Sequence, residues 1–133
     1  MPSPDQGRVQ VLDTAVTRKP LPIVTGEGSA YAVLGPENGA TYRTVNILEL
    51  GSGARTVDLR HRYECVYYIA AGAGLIRDLA DGAATDLAEG SMIHIGAEDA
   101  YRLEAGQAGM TAIGGTVPAD PALYEISATE AAE

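Results

Sequence analysis

Tryptophan and phenylalanine are absent from this chain of 133 residues, cysteine occurs once and histidine only twice. Bulky packing therefore falls to Leu, Ile, Val and seven tyrosines. A tyrosine drawn inside needs a partner for its hydroxyl, so such an interior points to a polar cavity. The bland alternative places the tyrosines at the ends of the fold or in a subunit contact. One cysteine, Cys65, permits no internal disulfide, which fits a reducing cytoplasm. Positive charge is also scarce: nine Lys and Arg stand against 18 Asp and Glu, for a net charge of −9. That balance excludes nucleic acid and an anionic membrane as partners, since both require clustered basic residues. The close basic pairs, Arg18 with Lys19 and Arg60 with Arg62, are too small to track phosphates. No apolar run approaches a membrane span, and the residues after Met1 carry no signal-peptide hydrophobic region. The expectation is a cytoplasmic protein.

What is present is the punctuation of an all-β chain. Asn38-Gly39 and Asp81-Gly82 are dipeptides of tight hairpin turns, which need φ > 0. Strands are expected at 31–34, 41–50, 57–59, 66–70, 75–79, 84–87, 92–95, 101–103 and 110–113. Many short strands joined by glycine-containing links suggest a sandwich or barrel. No amphipathic helix stands out, although 121–126 suits a single helical turn. The chain divides into a flexible N-terminus (1–8), one β-barrel domain (9–126) and a flexible acidic tail (127–133).

Two stretches carry the site. The first runs from Gly53 through Leu59, His61, Glu64 and Cys65 to Gly72, and the second from Gly90 through Ile93 to Tyr101. They resemble the two motifs of the cupin superfamily, in which glycine, His-x-His, Glu and glycine recur in order and a second His follows downstream. With both glycines in register, Leu59 stands for the first His and His61 keeps the second. Cys65 then stands for the Glu, and Tyr101 for the downstream His. Among cupin families the chain is most similar to ectoine synthase, over roughly residues 29–103. The resemblance implies a single-domain jelly-roll β-barrel (a double-stranded β-helix) with an inward-facing pocket, commonly dimeric. Ectoine synthase-like proteins close a ring by eliminating water, with an iron held by Glu, Tyr and His. Those positions fall here on Glu64 or Cys65, on Ile93 and on Tyr101, so the iron is not carried over and no cofactor is expected.

Side chains alternate across a strand, so residues two apart share a face. The pocket is then expected to receive Leu59, His61, Tyr67, Ile93 and Tyr101, with Tyr42, Thr44 and Asn46 from the strand at 41–50. Whether Glu64 or Cys65 takes the inward place turns on a one-residue slip. His61 and Tyr101 are the expected acid–base pair, with Glu64 or Cys65 beside them as a further catalytic group. Tyr42, Thr44, Asn46, Leu59, Tyr67 and Ile93 are expected to bind substrate. The resulting reading is a metal-independent cyclase, dehydratase or isomerase of a small metabolite, acting as a homodimer. Its alternatives are a non-catalytic metabolite-binding protein and a metal-dependent lyase or dioxygenase.

Overall fold

The computed structural model describes residues 9–40 and 42–118. The expectations for 1–8, 121–126 and 127–133 lie outside these residues. Among the described residues nine strands follow in chain order: β1 (Lys19–Pro20), β2 (Val24–Thr25), β3 (Gly28–Leu34), β4 (Val45–Leu50), β5 (Arg55–Thr56), β6 (Glu64–Asp78), β7 (Ala84–Ala88), β8 (Met92–Ile95) and β9 (Tyr101–Val117). One 3-10 turn, Pro36–Asn38, precedes β4 and ends at Gly39 in the left-handed region (φ 88). The Asn-Gly dipeptide thus closes a helical turn and forms no two-residue hairpin. The Asp-Gly dipeptide does lie in the hairpin between β6 and β7, where Arg77 faces Ala84.

β6 and β9 are the spine. They run antiparallel from Glu64 facing Val117 to Gly72 facing Met110 and, after a register shift, from Gly74 facing Ala105 to Asp78 facing Tyr101. The late half of β9 also pairs with β4, while its early half meets β5. The early half of β6 pairs with β8 and its late half with β7. Both strands therefore pass from one layer to the other, and the sheet curls over a core that it encloses. Sequence periodicity places two strands in each of these spans because the apolar pattern breaks at glycines. The pairing shifts register at that break, with 106–109 of β9 bulged out between the Gly72–Met110 and Gly74–Ala105 pairs, and both strands run on beyond it. Gly72 sits at the corner with φ 78, and a Cβ there would meet the Gly109 carbonyl oxygen and lie 2.9 Å from Met110 Cα. Only glycine lets the two strands bend together that closely.

The enclosed core includes Ile23, Leu48, Tyr67, Ile69, Leu103 and Ala112, each fully buried. On the early half of β6 the alternation is strict: Cys65, Tyr67 and Ile69 are buried while Glu64, Val66 and Tyr68 are exposed. On β4, Asn46, Leu48 and Leu50 are buried, with Thr44 just ahead of the strand. The strand expected at 41–50 begins only at Val45, and Tyr42 lies outside it at 67 % exposure. Tyr42 is therefore withdrawn from the pocket. Burial of the apolar face at about 25 cal/mol per Å² is what drives the curl.

Candidate functional site

Antiparallel pairing positions the site. Leu59 and Tyr101 exchange two backbone hydrogen bonds, N–H to carbonyl in each direction, both 2.8 Å long. That narrow bridge anchors Tyr101 at the start of β9 against the segment leading to His61. The His61 carbonyl then accepts a 2.7 Å hydrogen bond from the Glu98 N–H. Glu98 holds φ 68, a left-handed conformation uncommon for a residue with a side chain. Local geometry thus fixes His61 from both sides.

Inside the barrel, His61 Nε2 lies 2.6 Å from the Tyr101 hydroxyl, and that hydroxyl lies 3.2 Å from the Tyr67 hydroxyl. Cys65 Sγ is 4.0 Å from the same oxygen. All four side chains are at most 3 % exposed. Burial, reinforced by the neighbouring Tyr67 and Cys65, pushes the Tyr101 phenol well above its ordinary range, so it keeps its proton. Burial likewise pushes the Cys65 thiol up to about 11, against smaller opposing hydrogen bonds from Tyr101 and Tyr67. A neutral phenol hydrogen-bonded to an imidazole has the chemistry to pass a proton. A neutral thiol is poorly nucleophilic.

Of the expected site residues, His61, Cys65, Tyr67 and Tyr101 come together in this cluster. Leu59, Ile93, Thr44 and Asn46 are also buried. Glu64 is not among them. It points outward and pairs with His94 at 2.7 Å, both side chains more than 60 % exposed (67 % and 64 %). The register that keeps both motif glycines is thus the one adopted, and Glu64 lies outside the buried cluster, against the alternative that gave it the inward place. Thr116 is a buried polar residue that the sequence reading missed. It faces Cys65, and its carbonyl accepts a 2.8 Å hydrogen bond from Thr44 Oγ1. Extending the parity of Met110 and Ala112 by two further steps would have reached it.

The iron implied by the sequence resemblance does not fit these residues. Catalytic metals usually take three protein ligands. Among the described residues, no three His, Cys, Asp or Glu side chains converge. Leu59 and Ile93 offer no donor atom, and the remaining imidazole is already engaged with a phenol.

The fold is similar to several solved structures. The polyketide cyclase RemF from Streptomyces resistomycificus shares 12 % identity at a TM-score of 0.71, over 94 % of this chain and 91 % of that one. A predicted oxalate decarboxylase from Thermotoga maritima shares 18 % identity at a TM-score of 0.67, over 82 % of this chain and 99 % of the other. A cupin-like protein from the same organism shares 21 % identity at a TM-score of 0.64, over 71 % of each chain. No protein-family model and no curated protein matches the sequence. The class that the fold defines is the cupin jelly roll. Among the described residues, no helix is long and apolar enough to cross a membrane.

Proposed function

We propose that this protein is a metal-independent cupin enzyme that cyclises, dehydrates or isomerises a small metabolite by acid–base chemistry inside the barrel. The observation that carries the reading is the buried 2.6 Å contact between His61 and Tyr101. Tyr101 takes a proton from the substrate as it passes its own to His61 Nε2, so no phenolate need form. Tyr67, 3.2 Å from Tyr101, extends the relay to a second point on the substrate. An imidazole near neutrality is the usual store for such a proton. The barrel wall excludes water and holds a flexible substrate folded, which supplies further acceleration through orientation. A polyketide cyclase is among the similar folds, and ectoine synthase-like cupins close a ring by eliminating water; both bear on ring closure as the outcome. Neither reaction is assigned here in particular.

The test is turnover by two variants that remain folded. His61→Ala and Tyr101→Phe are each expected to lower kcat by about 10²–10⁴-fold. Unchanged turnover in both would remove the relay from the mechanism, and metabolite binding without any turnover in the native protein would make it a carrier.

We also propose a homodimer in the cytoplasm. Its support is the outer face of the sheet, where Ile47, Ile113, Tyr68 and Met92 stand in one transverse row. Tyr68 and Met92 are 43 % and 67 % exposed, and Val66 beside them 39 %.

A further inference from the structure

Asn46 is fully buried, and neither its Oδ1 nor its Nδ2 has a hydrogen-bond partner. A buried polar group left unpaired costs about 1–3 kcal/mol, and a carboxamide has two such groups. Leucine or valine in its place would avoid that loss, so the sequence retains an expense that the fold alone does not justify.

The position of Asn46 says what relieves it. Asn46 on β4 faces Gly114 on β9, Gly114 faces Tyr67 on β6, and Tyr67 faces Ile93 on β8. Directly paired residues share a face, so this row crosses the inner wall of the barrel. Gly114 contributes no side chain between Asn46 and Tyr67. The backbones of β4 and β6 are two strand spacings apart there, roughly 10 Å. The Tyr67 hydroxyl is in turn the outer end of the relay through Tyr101 to His61. A carboxamide with a free donor beside a free acceptor therefore shares a wall with the proton-handling groups.

We infer that Asn46 is the recognition residue for a β-hydroxycarbonyl substrate, its Nδ2–H donating to the carbonyl oxygen and its Oδ1 accepting from the hydroxyl. This inference rests on the acid–base reading above and names the substrate class of that site. The reaction is a loss of water. Tyr101 takes the α-proton while its own proton moves to His61, and the C–H electrons become the C=C bond. The C–O bond breaks, and the departing hydroxide takes a proton from Tyr67. Tyr67 recovers its proton from Tyr101, and Tyr101 from His61. The enzyme returns to its starting state, and substrate divides into an enone and water. Nδ2–H holds the carbonyl oxygen as it gains charge, a role in which preorganised donors are effective.

The probe is 4-hydroxy-4-methyl-2-pentanone, with 4-methyl-2-pentanone as the partner lacking the hydroxyl. In ¹H–¹⁵N spectra of the native protein, the Asn46 side-chain NH₂ signals are expected to shift with the hydroxyketone, and little with the plain ketone. Asn46→Leu is expected to weaken hydroxyketone binding by about tenfold or more, while His61→Ala binds it normally. If the Leu variant does not fold, Asn46→Ser and the native spectra carry the test. Equal binding of the two ketones, unchanged binding after Asn46 substitution, or no binding at all overturns the inference. Binding that depends on Asn46 without conversion to the enone leaves recognition standing and instead overturns the acid–base reading.

Discussion

Tyr101 keeps its proton because the barrel gives a phenolate nothing to replace water, and the same wall keeps Cys65 a thiol. Both facts have a pH signature. The folded protein holds the Cys65 proton with a pKa of about 11, against an ordinary 9.0. The folded state therefore binds that proton more tightly than the unfolded chain, and the associated stability is complete below pH 9. It is lost as pH rises from 9 toward 11, and Tyr101 acts in the same direction above pH 10. Thermal denaturation is expected to show a melting temperature that falls above about pH 9. Cys65→Ala is expected to flatten that decline, and a native curve level through this range would contradict the burial account. Alkylation of Cys65 by iodoacetamide at pH 8 should be slow until the protein unfolds, as judged by intact mass. Most of this cluster was legible in the sequence: strand parity with the two motif glycines places Leu59, His61, Tyr67 and Tyr101 inside. The choice between Glu64 and Cys65 was not, because one residue of slip reverses every side chain and the pairing partner lies elsewhere in the chain. The pairing of Cys65 with Thr116 and Ile95 decides it.

Strand β9 shows what single elements contribute. It carries Gly114 and Gly115 where β4, β6 and β9 converge on the site. A Cβ on Gly114 would meet the Val66 carbonyl oxygen and lie 2.7 Å from Tyr67 Cα, and one on Gly115 would lie 2.6 Å from Thr44 Oγ1. These neighbours are mostly backbone and have little room to move. Gly114→Ala is expected to destabilise the fold by roughly 3 kcal/mol or more, the range of severe core disruption. Gly82→Ala, with φ 78 and open space around it, should lose only about 1–2 kcal/mol from its left-handed conformation. Urea midpoints at constant slope separate the two, and equal losses would refute the close-approach argument. The apolar pattern splits β6 and β9 at their glycines, where the pairing does shift register, but local periodicity cannot show that each strand runs on past the shift. The two-residue strands β1, β2 and β5 are too short to show a period, and the strand expected at 57–59 proves to be a single bridge at Leu59.

At the scale of the molecule, the curled sheet has a buried inner wall, where the proposed chemistry lies, and an outer face, where the proposed dimer contact lies. The outer row of Ile47, Ile113, Tyr68 and Met92 is more apolar than solvent exposure requires. Light scattering is expected to give a dimer for the native protein. The double variant Tyr68→Lys, Met92→Lys should be a folded monomer, because two charges facing their own copies across a two-fold contact repel. A native monomer, or a variant that stays dimeric, would place the interface elsewhere or dismiss it. The overall architecture was the most legible level of all, since turn spacing and motif order are properties of the chain itself. The pairing of each strand half with a different neighbour was not, because it depends on long-range contacts.

The central claim is that the barrel interior moves protons through Tyr101 and His61. Hydrogen–deuterium exchange at the α-carbon of 4-hydroxy-4-methyl-2-pentanone in D₂O, followed by NMR with a chelator present, tests it most directly. The account predicts exchange faster than in buffer alone, reduced about 10²-fold or more by either Tyr101→Phe or His61→Ala. Exchange at the buffer rate, or exchange indifferent to both substitutions, would contradict it.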